Sequence, residues 1–294
     1  MVFFFSLLID GALSGAIYAL IALAFVLVYK ASRMINFAIG EWVMWGAALV
    51  AAGVHAIGLG LGTALGFACA GMTALAFGFT WLVLRRMRAS PAIASIMITL
   101  ALGAVMRGVG AIIFAGVPGK VTMPIPADPI MIDGVPIATD KLVAAMVAAL
   151  CIAIVTAFYQ CSRTGLALRA VAEDRQTAMS VGIDVDHHLL IVWVMAGVIS
   201  VAGGVLWTFV SGAGFGVALV GLKVFPIVII GVLDSLLGAI VGAMIIGVLE
   251  SLGAGYLDPR LGGGFGNIAS YLLMIGMLVA RPSGLFGRPR IERL

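Results

Sequence analysis

The chain has 294 residues, of which 63% are hydrophobic and only 10% charged, and its formal net charge is +4. Its mean hydropathy of +1.22 excludes a water-soluble globular domain and indicates an integral membrane protein. The apolar runs are about 20 residues long, the length that an α-helix needs to cross roughly 30 Å of hydrocarbon, and the ~10-residue alternating pattern of barrel strands is absent. The sequence therefore predicts an all-α polytopic membrane protein.

Membrane helices are predicted, in chain order, from nine apolar segments. These lie near residues 8–29, 36–54, 62–84, 92–115, 140–161, 187–210, 221–235, 237–256 and 265–281. The seventh is short for a crossing, so about eight or nine transmembrane helices are expected, with a short or broken segment near 221–236. Alternatively, that segment and the next form a re-entrant pair. No soluble domain is predicted, and residues 1–294 are expected to form a single transmembrane domain.

The basic residues predict an orientation. They cluster in alternate gaps, at Lys30 and Arg33, at Arg85, Arg86 and Arg88, at Arg163, Arg169 and Arg175, and at Arg281, Arg288, Arg290 and Arg293. Nine crossings would bring all four clusters to one side of the membrane. The positive-inside rule then predicts an external N-terminus and a cytoplasmic C-terminus. Basic residues distributed in this way, without aromatic platforms, do not suggest nucleic-acid binding.

The second segment begins with polar residues. Asn36 is predicted to cap this helix, and Glu41 to lie near the cytoplasmic mouth, about 7.5 Å along the axis. One stripe of the helix carries Glu41, Trp45, Ala48 and Ala52. Two interpretations remain open: the stripe lines a permeation path, or Asn36 and Glu41 only stabilise the helix N-terminus.

The third segment and the loop 116–141 suggest packing and an external surface. Glycines between residues 58 and 78 have the spacing that lets transmembrane helices approach closely.

The loop 116–141 is external in the predicted topology and rich in proline. It is expected to be ordered extended structure that faces an outside partner, or else a long linker.

Charged side chains inside the other segments need partners, because each costs about 2.5–3.5 kcal/mol at a helix centre. Arg107 is predicted to pair with a carboxylate such as Glu250 or Asp10, to extend to the outer interface, or to contact an anionic solute group. The broken segment is surrounded by Lys223, Asp234, Ser235 and Glu250. Asp234 and Ser235 are the stronger candidates for pathway residues, since Lys223 and Glu250 fall near the outer ends of their spans.

The segment 163–186, "RTGLALRAVAEDRQTAMSVGIDVD", predicts one amphipathic cytoplasmic helix that Gly182 ends. On a helical wheel, its apolar side has Ala167, Val171, Ala178 and Val181, its polar side has Arg169, Glu173, Gln176 and Ser180, and Asp174 intrudes on the apolar stripe. A stripe of alanine and valine suits a shallow groove on a protein partner, with the membrane surface as the alternative.

The sequence does not indicate that this chain catalyses a reaction or binds a metal or cofactor. None of the motifs HExxH, GxSxG or GxxxxGK[ST] is present, and Cys69, Cys151 and Cys161 have no metal-ligand spacing. We therefore predict no catalytic residue, no metal and no bound cofactor.

Several motifs carry a family resemblance. "RAVAED" at 169–174, followed by an alanine and by "GI" before a span, resembles the cytoplasmic coupling loop of ABC importer permeases. "SGAIYALIALAFVLVY", "INFAIGE", "GLKVFPIVIIGVLDS" and "ARPSGLFGR" are similar to landmarks of the branched-chain amino-acid (Liv-type) permease family. The matches extend from residue 14 to 288. The chain departs from the family pattern at Asp234, where members commonly have a glycine.

The resemblance implies an ABC importer permease fold in the bacterial inner membrane, forming half of a translocation pathway. Implied partners are a second permease subunit, commonly a different chain, two cytoplasmic ATPases that bind the ATP, and an external solute-binding protein. The solute is a branched-chain amino acid by default, with an amide, urea or an organic acid as alternatives. Coupling contacts would fall on Arg169, Glu173, Asp174, Arg175, Ala178 and Gly182.

A different class of protein remains as the alternative. A self-contained channel or ion-coupled secondary transporter would use the carboxylates Glu41, Asp234 and Glu250 as coupling sites.

Overall fold

The computed structural model describes residues 1–87, 92–121, 128–132, 134–212, 215–281 and 284–285. The helices are α1 Val2–Ser32, α2 Ile39–His55, α3 Leu61–Leu82, α4 Ala92–Ile113, α5 Thr139–Cys161, α6 Arg163–Glu173, α7 Arg175–Ser180, α8 Val185–Ser211, α9 Val220–Gly231, α10 Leu236–Tyr256, α11 Asp258–Leu261 and α12 Phe265–Ala280. Single 3-10 turns occupy Leu84–Met87 and Phe215–Leu219. The predicted all-α polytopic fold is confirmed.

Within the loop 116–141, two short strands are described. They are β1 Ile130–Ile132 and β2 Val135–Ile137, which pair antiparallel, with Ile130 opposite Ile137. The extended structure expected in this loop is present there. Residues 122–127 of the loop, and the basic residues Arg88, Arg288, Arg290 and Arg293, lie outside the described residues.

Helix α1 is the centre of the bundle. It has 31 residues and is apolar all round, which is typical of a helix buried on every side. It packs against α5, α8, α9 and α10. Its closest approach is to α10, where a Cβ on Gly11 would lie 2.6 Å from the Cα of Val248. Glycine permits this distance, and dispersion between the two backbones holds the pair.

Among the residues that the structure describes, six helices are long and apolar enough to span a membrane: α1, α3, α4, α5, α8 and α10, with α3 extended to Arg86. The expected short segment is α9, whose 12 residues extend only about 18 Å, less than the ~30 Å of a bilayer core. It contains Pro226 and is followed by a tight turn into α10.

The predicted close packing through the glycines of α3 is wrong for Gly62, Gly66 and Gly78, because no atom of another described element lies within 4 Å of a Cβ built there. The face of α3 that packs on the bundle carries instead Ala64, Ala68, Met72 and Ala76. These residues recur at a spacing of four, so they form one face of the helix. The close glycines lie on the neighbouring helices, where a Cβ on Gly53 would lie 3.0 Å from Ala64 Cβ and one on Gly197 3.3 Å from Met72 O.

The turn between α9 and α10 depends on two glycines. A Cβ on Gly238 would overlap the carbonyl oxygen of Gly231, so Gly238→Ala must separate the two helices. We expect this variant to lose at least about 1–3 kcal/mol of stability, measured as a lower thermal midpoint in detergent. Gly276→Ala is the matched control, since nothing lies within 4 Å of its added Cβ. Equal midpoints for the two variants would contradict the packing described here.

Candidate functional site

The seam between α2 and α4 contains an ion pair whose carboxylate is buried. Arg107 Nη2 donates to Glu41 Oε1, and the Glu41 side chain is only 5% exposed whereas that of Arg107 is 57% exposed. The carboxylate fits because Gly103 faces it, with a built Cβ only 3.1 Å from Glu41 Oε2. The predicted pairing of Arg107 with a carboxylate is therefore present, but the partner is Glu41 rather than Glu250 or Asp10.

The segment before α2 is non-helical and buried. Asn36 is 1% exposed and does not cap the helix as predicted; the N-cap is Ala38, whose N–H donates to Asn36 Oδ1 (3.0 Å). The backbone N–H of Phe37 donates to Thr99 Oγ1 of α4 (3.3 Å). Asn36 thus forms a local turn that leads the chain into α2, and its Nδ2 has no hydrogen-bond partner among the described residues.

The Glu41–Arg107 pair lies further along the candidate span α4 than the position of Glu41 in the first turns of α2 suggests. At 1.5 Å per residue, Thr99 lies about 10 Å along α4 from Ala92, and Arg107 about 22 Å. Since α4 is itself a candidate span, α2 begins within the depth of that span. The expectation that Glu41 lies near the mouth is revised accordingly, because Glu41 lies beside the second half of α4.

One turn further along both helices, the seam opens into an apolar cleft. Trp45 closes the seam beside it, donating from Nε1 to Met106 O (2.7 Å) and packing edge-on against Phe114. The cleft has a volume of about 220 Å³. Its polar lining side chain is Thr208, whose hydroxyl donates to Val205 O (3.0 Å), and the other lining side chains are apolar, among them Met44, Ala47, Ala48, Ala51, Phe114 and Val117. The predicted stripe of α2 thus packs on α4 at Trp45 and lines an opening at Ala48.

Lys223 and Glu250 belong to a second, separate cluster. Lys223 Nζ donates to Glu250 Oε2 and to Tyr18 OH, both at 3.0 Å, and Tyr18 OH donates to the same carboxylate oxygen at 2.7 Å. Ser270 Oγ donates to Glu250 Oε1 at 2.9 Å. These contacts connect α1, α9, α10 and α12, an arrangement that anchors the short helix α9. Asp10, the other proposed partner of Arg107, pairs with Lys141 Nζ at 2.6 Å.

Asp234 and Ser235 lie in the turn between α9 and α10. Ser235 is the N-cap of α10 and accepts a hydrogen bond from Gly238 N (3.0 Å). Asp234 Oδ2 lies 3.8 Å from Arg33 Nη1. The pathway role predicted for these two residues stays a prediction.

The segment 163–186 forms two helices rather than one. Asp174 does not sit within a helix; its extended backbone separates α6 from α7, and its carboxylate accepts from the N–H groups of Gln176 and Thr177. These bonds, with one from the Thr177 hydroxyl, hold the pKa of the Asp174 carboxyl below its usual value. Gly182 ends α7 in the left-handed region (φ +86°), as predicted.

The predicted apolar stripe of this segment is only partly buried. Val171 and Ala178 pack on the protein itself, so Ala178 is unavailable to a partner, in contrast to the prediction. Val181 of the stripe is exposed, as are Leu166 and Met179 outside it. Arg169 and Arg175 are half-buried and Glu173 is exposed.

A bundle of apolar helices with paired charges inside it and short amphipathic helices outside it is the architecture of a multi-pass membrane permease. The family model for "Branched-chain amino acid transport system / permease component" matches residues 7–281. The chain therefore belongs to this family, and it is the permease subunit of an ABC importer of the bacterial inner membrane.

Relatives that match this chain over nearly their whole length are described as permease proteins of the same kind of system. The high-affinity branched-chain amino acid transport system permease protein LivH of Escherichia coli is 28% identical over 312 residues, covering 99% of this chain and 98% of the relative. LivH of Salmonella typhimurium is 29% identical over 314 residues with the same coverage. BraD of Pseudomonas aeruginosa, from a system of the same description, is 26% identical over 304 residues, 98% of this chain and 97% of the relative.

Sequence reasoning missed several partners. Thr99 and Tyr18 look like ordinary polar residues in apolar helices, and only the tertiary structure brings them to Phe37 and Glu250. Arg33 was noted only as a basic residue of the predicted cytoplasmic side. The available signal was its position just after the first apolar segment. Its left-handed backbone (φ +57°), which is uncommon for a residue with a side chain, is visible only in the structure.

Proposed function

We propose that this permease subunit conducts an aliphatic amino acid, which passes the Glu41–Arg107 pair with its side chain in the adjacent cleft. The single observation that carries this proposal is the succession, on one seam, of a carboxylate–guanidinium pair and an apolar opening. An amino-acid zwitterion has both charges and an apolar end. The guanidinium matches its carboxylate, Glu41 matches its ammonium group, and alanine and valine side chains match an aliphatic tail.

The size of the cleft supports a small solute. Its volume of about 220 Å³ is below the roughly 300–1,000 Å³ of pockets for drug-sized ligands. The apolar lining favours an aliphatic side chain over urea, a short amide or a second carboxylate, because each of these would leave polar groups unpaired there. The relatives whose systems are described as transporting branched-chain amino acids point to the same solutes.

The assembly that we propose has this chain beside a second, different permease subunit. Two cytoplasmic ATPases would bind the ATP and contact α6 and α7, and an external binding protein would deliver the solute. The exposed guanidinium of Arg107 supports this arrangement, because a charge facing lipid at this depth costs about 2.5–3.5 kcal/mol. The guanidinium of Arg107 must therefore face water in a pathway or a partner chain.

The basic clusters favour an external N-terminus for the proposed subunit. No catalytic role is assigned to the chain.

A self-contained ion-coupled transporter is disfavoured by the state of its three candidate carboxylates. Glu41, Asp234 and Glu250 face Arg107, Arg33 and Lys223 respectively. A coupling carboxylate must exchange its cation or proton during transport, and a cationic partner at hydrogen-bond distance, which Glu41 and Glu250 both have, opposes this exchange.

A substitution that fills the cleft tests the solute assignment. Ala48→Phe should lower the uptake of leucine in reconstituted vesicles by at least about tenfold, the equivalent of roughly 1.4 kcal/mol, and should affect glycine less. Ala153→Phe, at an exposed position of α5, is the control and should leave both unchanged. Equal losses for both solutes, or uptake of urea or an organic acid in preference to leucine by the unmodified complex, would contradict the proposal.

A further inference from the structure

Arg33 connects three parts of the molecule. It follows the last residue of α1, and its backbone N–H donates to Tyr29 O (2.7 Å). Its guanidinium donates from Nη2 to Ala172 O near the end of α6 (3.1 Å), and Nη1 lies 3.8 Å from the Asp234 carboxylate. One side chain thus joins α6, which lies in the segment that resembles a coupling loop, to the turn between α9 and α10.

That turn is strained and tightly held. Val232 has φ +80°, which a β-branched residue adopts only when the surrounding structure enforces it. The carbonyl of Ile230, just before it, accepts from Leu285 N (2.9 Å), and a Cβ on Gly284 would lie 2.7 Å from the Val232 side chain. A displacement of Asp234 is therefore transmitted to α9 rather than absorbed by a loose loop.

The other end of α9 touches the candidate site. A Cβ on Gly221 would lie 2.6 Å from the Cα of Gly40, so the two backbones are in direct contact. Phe225 stacks on Phe37, with ring centroids 4.7 Å apart. Gly40 directly precedes Glu41, so a shift of α9 reaches the carboxylate that holds Arg107.

The exposure of the Arg33–Asp234 pair argues against a purely structural role. The two side chains are 57% and 49% exposed, and exposed pairs contribute little to stability. Removing the pair should therefore leave the fold nearly as stable as before, so a change in transport on its removal would report a role in positioning rather than in folding.

We propose that Arg33 is a positioning residue for transport: it transmits the movement of α6 through Asp234 and α9 to the start of α2, and so changes the geometry of the Glu41–Arg107 pair. This inference rests on the proposed contact of α6 and α7 with an ATPase subunit. It is independent of which solute is carried. Physical contact alone does not establish coupling, so the test must measure coupling itself.

The experiment compares solute transported per ATP hydrolysed in vesicles containing the whole importer. Arg33→Ala and Asp234→Ala should each lower this ratio by at least about fivefold, the lower end of ordinary coupling energies, while ATP hydrolysis continues. The double variant should be no worse than Arg33→Ala alone, because Arg33→Ala already removes the contact with Asp234 together with the hydrogen bond to Ala172 O. Arg33→Lys, which keeps the charge but not the fork of donors, should recover only part of the loss.

Arg85→Ala is the matched control, because it removes an exposed charge of another basic cluster and should leave the ratio unchanged. Thermal midpoints of all variants in detergent separate uncoupling from misfolding. Folded Arg33→Ala and Asp234→Ala complexes with the unmodified ratio, or strictly additive losses in the double variant, would overturn the proposal. An unmodified complex that couples hydrolysis to a solute other than an aliphatic amino acid would contradict only the proposed function.

Discussion

Arg107→Leu is expected to impair the protein more severely than Glu41→Gln. Removing the guanidinium leaves the Glu41 carboxylate, which is 5% exposed, without its cation, at a cost of about 3–5 kcal/mol. Replacing Glu41 by glutamine leaves Arg107 unpaired, but this side chain is 57% exposed and finds water or a partner more easily. The thermal midpoint in detergent should therefore fall more for Arg107→Leu.

Transport distinguishes the two interpretations of the pair. If the pair lines the pathway, the double variant Glu41→Gln/Arg107→Leu should recover much of the stability but remain at least about tenfold slower in uptake. If the pair only stabilises the start of α2, the double variant should recover uptake together with stability. Initial uptake rates, normalised to folded complex in the vesicles, provide the measurement.

Glu250→Leu is expected to destabilise the fold without a specific effect on the solute. The substitution leaves Lys223, which is 20% exposed, facing Tyr18 and Trp207 without a carboxylate, and Ser270 loses its acceptor. We expect a loss of about 3–5 kcal/mol, seen as a lower thermal midpoint. Lys223→Met combined with Glu250→Leu should recover part of it, because no charge is then left unpaired.

The more exposed pair between Asp10 and Lys141 offers a control for this cluster. Its side chains are 38% and 25% exposed, so Asp10→Asn should cost about 1 kcal/mol or less. If Glu250→Leu were as mild as Asp10→Asn, the anchoring role assigned to the cluster would be wrong. A folded Glu250→Leu complex with changed solute preference would instead support the role in the solute pathway for which the sequence made Glu250 a candidate.

The length and composition of apolar segments predicted the fold well. Hydropathy depends on a local property, the number of consecutive apolar residues, and the nine predicted segments correspond to helices of the structure. The short α9 was predicted because the apolar run 221–235 is too short to cross a bilayer comfortably. The failures at α3 have a different cause: which face of a uniformly apolar helix meets its neighbours is decided by packing rather than by hydropathy.

The candidate site was only partly predictable. Its residue types were correct, since Glu41 and Arg107 are conspicuous charges in apolar helices, but their pairing joins positions far apart in the chain. The Asp174 break illustrates a local signal that was undervalued. Asp competes for backbone N–H groups and favours caps over helix interiors, so a carboxylate on the apolar stripe already indicated a helix boundary.

The most direct test of the central claim is ATP-dependent leucine uptake by vesicles that contain this chain, its partner permease and the ATPase subunits, with the external binding protein added. A permease subunit of an ABC importer predicts uptake that requires ATP and all of these subunits, and that Arg107→Leu abolishes. Leucine uptake by vesicles that contain this chain without any ATPase, driven by an ion gradient alone, would contradict it.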